Sequence, residues 1–344
     1  MAQIDKPNLH FNTKLYTGNG SSGHAITGVG FQPDWVWIKN RTDVASHNLY
    51  DAVRGTSAGK LKSNTNGAQS YNAQDLSVFG TDGFTVGSNN EVNGNGDNMA
   101  AWCWKAGGST SSNSDGTITS TVSVNSTAGF SIVKWTNSGN AAYIGHGLGA
   151  VPQYILIKNM GSGSSITAWV NYHHKIDPTA PEDYTIYLNS TDARVDNPVF
   201  LDTKPTSTRF RFDSADTTDY IAYCFAEKPG FSKVGSYEGN GNADGTYVYT
   251  GFKPAFVLSR DIDNAGENWF IHDNTRDTFN PVDTYSRPNL TNGDGTAAHY
   301  DFYSNGFKSR YAGGSLNSSG RTYIYVAFAE NPIVGSNNVP AVAR

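Results

Sequence analysis

The 344-residue sequence has little of several features that would assign it to a particular class of protein. It contains only two cysteines, too few for the disulfide framework of a small secreted domain. No apolar run approaches the roughly 18 residues that a membrane-spanning helix needs. The start of the chain lacks the basic and then apolar segments of a signal peptide. We therefore expect a protein that is neither secreted nor inserted into a membrane.

Charged residues are also scarce, at 16% of the chain compared with roughly 25% in average soluble domains. The net charge is −5, and no block of lysine or arginine is present. Nucleic-acid binding requires a concentrated positive surface, because much of its affinity comes from phosphate contacts. We therefore expect no nucleic-acid partner.

Turn residues and aromatic residues are abundant, with 37 glycines, 19 tyrosines, 17 phenylalanines and 7 tryptophans. Short β-branched and aromatic runs are separated by Asn-Gly, Asp-Gly and Gly-Ser clusters, while a helical period of 3.6 residues is hardly visible. This pattern predicts an all-β protein of antiparallel strands, built as a sandwich or a barrel. We expect most aromatic side chains to fill sandwich cores, and a minority to form stacking platforms on loops.

The chain repeats itself three times. Each copy opens on an aromatic residue, Tyr16, Trp135 or Tyr237, and reaches a proline 17 residues later that leads into an apolar strand. Each copy closes on a second apolar strand, at 99–104, 220–225 and 323–328. A unit of about 100 residues has the size of an ordinary domain and is far longer than a solenoid or propeller repeat. We predict three tandem sandwich domains, arranged around a pseudo-threefold axis or as a short rod.

The repeats divide the chain into six predicted parts. These are an N-terminal arm (1–10), the first sandwich (11–106), a Gly/Ser/Asn/Thr-rich linker with an added strand (107–127), the second sandwich (128–228), the third sandwich (229–332) and a C-terminal tail (333–344).

The two cysteines fall at the same position of different copies. When the closing strands are aligned, Cys103 and Cys224 share a position that Ala327 fills in the third copy. A position that accepts Cys or Ala between bulky neighbours is typical of a small, inward-facing core site on a strand. We expect both thiols to be buried and unpaired, because equivalent sites in separate domains lie beyond the disulfide limit of about 7 Å.

The sequence offers little evidence of catalysis or cofactor binding. It has no His-Glu-x-x-His or Cys-x-x-Cys pattern, and we predict no enzyme activity, no cofactor and no metal site. Asp261-Ile-Asp263 resembles the opening of a calcium loop, but His272 stands where the bidentate Glu should be. An Asp/Asn-rich hairpin loop and an opportunistic Ca²⁺ site are the two interpretations. For His173-His174 we expect an exposed strand end rather than a metal site.

One polar constellation recurs and supplies the candidate ligand-binding residues. They are Tyr50, Asp51 and Arg54 in the first copy and His272, Asp273 and Arg276 in the third. The second copy degrades the pattern to Tyr172-His173-His174-Lys175. Two interpretations remain open. The carboxylate and guanidinium could grip sugar hydroxyls beside a stacking ring, or the Asp–Arg pair could fix the turn that follows an aromatic strand.

Several segments resemble a family of repeated virion proteins of tailed phages, particularly marine ones. These segments are GFQPDWVWIK (30–39), DGFTV (82–86), AAWCWKA (100–106), DGTITSTV (115–122), AGFSIVKW (128–135), AYCFAE (222–227) and AFAENP (327–332). The resemblance covers nearly the whole chain. It implies antiparallel β-sandwiches of the jelly-roll or lectin-like type (concanavalin or SPRY), as found in tail or fibre proteins, and it supplies no catalytic residues.

Together these features predict a non-enzymatic virion protein, with a tail fibre or tail-tip adhesin that contacts a host-surface glycan through sandwich loops as the leading hypothesis. A head or tail decoration protein is the alternative of the same class. A glycan depolymerase is the alternative of another class, and it would need paired Asp or Glu residues in a cleft. The expected partners are other virion proteins, a host glycan and further copies of the chain in a homo-oligomer. The expected location is the virion, after assembly in the host cytoplasm.

Overall fold

The computed structural model describes residues 3–162, 165–331, 333–334 and 340–341, which form an all-β protein. We call residues 11–106 the first unit, residues 107–228 (the predicted linker together with the second predicted sandwich) the second unit, and residues 229–331 the third unit. These boundaries stay a prediction. Residues 1–2 of the predicted arm and residues 335–339 and 342–344 of the predicted tail lie outside the described residues.

The first unit contributes the strands that the sequence pattern predicts between its turn clusters. They are β1 (Phe11–Thr17), β2 (His24–Thr27), β3 (Trp35–Asn40), β4 (Asn48–Asp51), β5 (Leu61–Lys62), β6 (Leu76–Gly80), β7 (Gly83–Val86) and β8 (Asn98–Trp104).

The strands of the second and third units follow in the same manner. In the second unit they are β9 (Ser111–Asn113), β10 (Ser120–Asn125), β11 (Phe130–Thr136), β12 (Ala142–Gly145), β13 (Tyr154–Asn159), β14 (Val170–His173), β15 (Tyr184–Tyr187), β16 (Val195–Asp196), β17 (Arg209–Phe212) and β18 (Asp219–Phe225). In the third unit they are β19 (Ser232–Glu238), β20 (Tyr247–Tyr249), β21 (Pro254–Asp261), β22 (Phe270–Asp273), β23 (Val282–Tyr285), β24 (Gly295–Tyr303), β25 (Gly306–Ser309) and β26 (Thr322–Ala329), and a short pair, β27 (Ile333–Val334) and β28 (Pro340–Ala341), follows.

Helical segments are short throughout the described chain. The α-helices are α1 (Asn90–Asn93) and α2 (Gly314–Asn317), and 3-10 turns lie at Pro7–Leu9, Thr56–Ala58, Pro181–Asp183 and Pro198–Phe200. Among the described residues, no helix is long and apolar enough to cross a membrane.

Each unit has a main sheet in which the strands follow one order: opening strand, closing strand, proline-led strand and aromatic strand. The order is β1-β8-β3-β4 in the first unit, β11-β18-β13-β14 in the second and β19-β26-β21-β22 in the third. The strands run antiparallel, and Trp35 lies opposite Trp104 just as Tyr154 lies opposite Phe225. An outer sheet accompanies each main sheet, with the orders β2-β7-β6, β12-β17 and β20-β25-β24-β23.

The segment predicted as a linker with an added strand extends the main sheet of the second unit. Strand β10 pairs antiparallel with β11, so that Thr121 lies opposite Lys134, and β9 pairs with β10 in turn. The opening strand of the second unit is therefore covered at its edge by the chain's own preceding residues.

Main sheets in this protein are buried on both faces, which explains why β3 is buried at every position from Trp35 to Asn40. Successive side chains of a strand point to opposite faces. In β8, Trp102 and Trp104 point to a central cluster, while Ala101 and Cys103 point towards the outer sheet of the same unit. The prediction for the cysteines is confirmed, because Cys103 and Cys224 are both buried and free.

The central cluster is shared by all three units and was not predicted, and it lies beside three further clusters that are each confined to one unit, as expected of separate sandwich cores. Its aromatic rings meet across unit boundaries: Trp35 stacks on Tyr223 with ring centroids 4.3 Å apart, and Phe11 stacks on Phe328 at 5.1 Å. Such pairs contribute about 0.5–1.5 kcal/mol each beyond the burial of their area. One face of each main sheet thus packs against the other two units in the central cluster.

Residues 3–10 also join this assembly rather than forming a separate arm. The Ile4 side chain belongs to the central cluster, and its backbone N–H donates to the Pro229 carbonyl at 3.0 Å. The start of the described chain is therefore fixed at the junction between the second and third units.

Candidate functional site

The six predicted ligand-binding residues lie inside the protein. Tyr50, Asp51, His272 and Asp273 are at most 2% exposed, and the side chains of Arg54 and Arg276 are at most 1% exposed. A glycan approaching from solvent cannot reach them, so their assignment to a loop-borne sugar site has to be corrected. Their geometry corresponds to the other interpretation, a structural pair that fixes a turn.

Asp51 ends strand β4 and organises the turn that follows it. Its Oδ1 accepts the Arg54 backbone N–H at 2.8 Å, and its Oδ2 accepts Arg54 Nε at 2.5 Å. The two Nη atoms of Arg54 donate to the carbonyls of Gly59 and Leu49 at 3.1 and 3.0 Å. Burial acts to lower the pKa of Arg54, but the adjacent Asp51 carboxylate outweighs it, so this pKa is raised.

Asp273 and Arg276 repeat this turn at the end of β22. Asp273 Oδ1 accepts the Arg276 backbone N–H at 2.9 Å, and Oδ2 accepts Arg276 Nε at 2.6 Å. Arg276 Nη1 also donates to Asp294 Oδ1 at 2.9 Å, and Asp294 pairs with Arg41 of the first unit at 2.6 Å. The third unit is thereby linked to the first.

The carboxylate of each Asp–Arg pair also accepts a hydrogen bond from the closing strand of another unit. Tyr223 Oη donates to Asp51 Oδ2 at 2.8 Å, and Trp102 Nε1 donates to Asp273 Oδ2 at 3.0 Å. Tyr223 and Trp102 occupy equivalent positions when the closing strands are aligned, with Val326 at this position in the third unit. Sequence reasoning found the Asp–Arg pairs but missed these partners. The alignment of the closing strands nevertheless showed an aromatic residue with an N–H or O–H donor at this position in two of the three copies.

In the second unit, His173 replaces the aspartate and makes a different contact. Its Nε2 donates to the Tyr325 carbonyl of the third unit at 3.2 Å, while Nδ1 accepts the Lys175 N–H at 3.1 Å. His173 is fully buried, so the expectation of an exposed strand end was wrong for this residue. Burial, with His174 nearby, lowers the pKa of His173 to about 3 and keeps its ring neutral.

Three buried cations provide a second set of contacts between the units. Lys39 donates to the Thr291 carbonyl at 3.1 Å, Lys158 to the Asn66 carbonyl at 3.0 Å, and Arg260 to the Asp192 carbonyl at 2.7 Å. The three cations hold equivalent places at the ends of β3, β13 and β21. Burial lowers the pKa of Lys39 and that of Lys158 to about 8.

These contacts link the first unit with the third, the second with the first and the third with the second. In a rod, the first and third units would not touch. The units therefore form a closed ring around the central cluster, and the rod arrangement is excluded.

The Asp261 loop is held by hydrogen bonds and an ion pair. The Asp261 carboxylate accepts the Asp263 N–H at 2.8 Å and lies 3.1 Å from Arg321 Nη1, which also contacts Glu267 at 3.0 Å. Within the described part of the chain, no group of three or more His, Cys, Asp or Glu side chains is placed to hold a metal ion. The loop geometry corresponds to the hairpin interpretation.

The outer sheet of the third unit carries the most distinctive exposed surface. Tyr247 and Tyr249 on β20 and Tyr303 on β24 are 44%, 66% and 38% exposed. Tyr249 and Tyr303 both lie opposite Gly306 of the intervening β25, and the rings of Tyr247 and Tyr303 are 6.0 Å apart. We call these three residues the tyrosine platform.

The corresponding surfaces of the other two units differ. In the second unit, the equivalent ring of Tyr143 is covered by Arg209 and Arg211, whose guanidinium carbons lie 4.3 and 5.4 Å from its centre. In the first unit, strand β2 presents the exposed Ala25 and Thr27 at the positions of Tyr247 and Tyr249. Uncovered tyrosine rings at these positions therefore belong to the third unit.

Comparison with known proteins assigns the chain to one family. Residues 6–332 match the model of a domain of unknown function, DUF7483. The chain belongs to the DUF7483 family. The match runs through all three units as one domain. No curated protein and no solved structure matches the chain.

Proposed function

We propose that this DUF7483 chain is a non-enzymatic structural protein of a phage particle, placed at a tail fibre or tail tip, where it attaches the particle to a glycan on the host surface. Its partners are then other virion proteins and further copies of the chain, and its location is the virion. The resemblance of segments such as 30–39 and 100–106 to repeated virion proteins supplies this biological setting.

One observation carries the proposal: the contacts between the units recur, whereas the outer surfaces differ. Equivalent hydrogen bonds connect neighbouring units of the three-unit ring, from Tyr223 to Asp51 and from Trp102 to Asp273. The outer sheets instead present small side chains, an arginine-covered ring or free tyrosine rings. A rigid scaffold that displays several surfaces is suited to adhesion, because linked weak sites can raise avidity by roughly 10²–10⁴.

The experiment uses the purified full chain and the phage that carries its gene. The chain should bind susceptible cells and slow phage adsorption in proportion to its concentration, and gold-labelled Fab fragments raised against it should mark the tail. Cells that lack the surface glycan serve as the control. Binding to both kinds of cell alike would contradict glycan attachment.

The alternatives give different outcomes in the same experiment. Label over the head shell together with failure to bind cells would favour a decoration protein. Release of reducing sugar from host polysaccharide by the pure chain would favour a depolymerase, and would contradict the non-enzymatic assignment.

A further inference from the structure

The tyrosine platform is wide enough to hold more than one sugar ring. Tyr247 and Tyr249 are two residues apart on one strand and so project from the same face, roughly 7 Å apart along it. Tyr303 lies one intervening strand away from Tyr249, at roughly 10 Å across the sheet. Three exposed rings over such an area offer stacking surfaces for several sugar units in a row.

Gly306 lets the Tyr247 ring lie over the sheet. A Cβ on Gly306 would lie 2.1 Å from the Val248 carbonyl oxygen, 2.8 Å from Tyr247 Oη and 3.0 Å from its Cζ, so the neighbouring strand and the ring together take the space of a side chain. The hydroxyl end of the Tyr247 ring therefore lies close to Gly306, while the residue as a whole is 44% exposed. A glycine within a strand commonly marks such a close approach.

Hydrogen bonds hold two of the three rings, those of Tyr247 and Tyr303, in place before any ligand arrives. Tyr247 Oη donates to Asn305 Oδ1, and Tyr303 Oη donates to Asp301 Oδ2 at 3.2 Å. Rings that are already fixed lose less conformational freedom on binding, which favours affinity. The amide and carboxylate beside the rings are groups that pair with sugar hydroxyls.

The charges around the platform point to a neutral ligand. Lys308 is paired with Asp244, and Arg310 Nε lies 3.5 Å from Asp301 Oδ2. Each cation at the platform thus has a carboxylate partner. An acidic glycan would have to displace that carboxylate, whereas a neutral glycan needs only stacking and hydrogen bonds.

We propose that the tyrosine platform is a binding site for a neutral glycan chain, which lies across Tyr247, Tyr249 and Tyr303. This inference rests on the proposed attachment function and adds the surface and the ligand class. It replaces the buried Asp–Arg turns as the sugar-contacting region, and it places the site on a sheet face rather than on loops.

The test applies the purified full chain to an array of neutral and acidic oligosaccharides, at low and at high salt. Neutral oligosaccharides should bind with little dependence on salt. Tyr249→Ala and Tyr303→Ala should each weaken binding roughly 3- to 10-fold, as expected for the loss of one aromatic stacking contact. Tyr249→Phe should bind like the parent chain, because it keeps the ring.

Tyr71→Ala is the matched control, since Tyr71 is 64% exposed and lies in a different unit. It should leave binding unchanged, and thermal unfolding of every variant should match that of the parent chain. A triple Tyr247→Ala, Tyr249→Ala, Tyr303→Ala variant should lose detectable binding to the array.

The outcomes separate this inference from the proposed function. If the triple variant still attaches to host cells like the parent chain, attachment stands and the platform assignment is overturned. If the array shows tyrosine-dependent binding but the chain attaches to no host cell, the platform stands and the attachment proposal fails. Binding only to acidic oligosaccharides that is lost at high salt, or no binding to any oligosaccharide, overturns the neutral-glycan assignment. Capture of another virion protein through the three tyrosines in place of a glycan also overturns it.

Discussion

Trp102 in the first unit donates its indole N–H to the Asp273 carboxylate in the third unit across 3.0 Å. Tyr223 makes the equivalent 2.8 Å contact with Asp51. At the equivalent contact between the third and second units, the Val326 side chain has no hydrogen-bond donor, and His173 replaces the aspartate that would accept. Donor and acceptor are thus lost together, which explains in physical terms why the Asp–Arg pattern is missing from the second unit.

The Trp102–Asp273 contact should appear as a coupling energy in a double-mutant cycle. We expect Trp102→Phe and Asp273→Asn to be coupled by about 1–2 kcal/mol in the free energy of unfolding, because a buried hydrogen bond to a charged group connects them. Denaturant unfolding of the two single variants and the double variant measures this coupling. A cycle of Trp102→Phe with Asp219→Asn, on an exposed ion pair of the second unit, should give none.

Removal of Arg54 should destabilise the protein strongly. Arg54→Ala leaves the Asp51 carboxylate buried without its cation, and we expect a loss of about 3–5 kcal/mol in the free energy of unfolding. Lys134→Ala is the control, because the Lys134–Asp219 pair is 37% and 40% exposed and should contribute less than about 1 kcal/mol. Equal effects of the two substitutions on the urea midpoint would contradict the structural role of the pair.

Acid should destabilise the protein through its buried histidines. Burial lowers the pKa of His173 to about 3 and that of His299 to about 4, both below the value near 6.5 of an unfolded chain. The unfolded state therefore takes up protons first, so stability is complete above pH 6.5 and is lost as the pH falls towards 4 and 3.

Denaturant unfolding at pH 7 and pH 4.5 measures this effect. The His173 contribution alone should amount to roughly 2–3 kcal/mol over this range. His173→Gln should make the fall with pH shallower, since glutamine can still donate to the Tyr325 carbonyl but does not titrate. His24→Gln, which changes a partly exposed ring, is the comparison variant. A slope unchanged by His173→Gln would show that the folded state protonates this residue as readily as the unfolded chain does.

Cys224 should tolerate replacement by alanine. Ala327 already fills the equivalent position of the third unit, so we expect Cys224→Ala to cost less than about 1.5 kcal/mol. Cys224→Leu should cost about 1–3 kcal/mol, because it overpacks the same small space between the sheets. Thiol titration should detect no reactive cysteine in the folded protein and two in denaturant, and a Cys103–Cys224 disulfide in the native protein would refute the common position.

The strands could be predicted because their signals are local. Asn-Gly and Asp-Gly turns and the alternation of Cys103 between Trp102 and Trp104 are visible in the sequence, and they led to an all-β chain with buried thiols. The candidate site could not be predicted in the same way. The Asp51–Arg54 spacing predicts the same turn whether the Asp51 carboxylate binds a sugar or Tyr223. Asp51 and Tyr223 are far apart in the chain, so no local pattern indicates that they meet.

The sequence by itself determined the all-β class, the strand-and-turn pattern and the equivalence of the cysteine positions, since each depends on neighbours within a few residues or on an internal alignment. Only the tertiary structure decided which face of each main sheet is shared. Because Trp35 stacks on Tyr223 and Phe11 on Phe328, aromatic residues close a ring of three units in addition to filling the core of each unit. That closure buries the Asp–Arg turns and leaves the outer sheets facing solvent, where Tyr247, Tyr249 and Tyr303 stand uncovered.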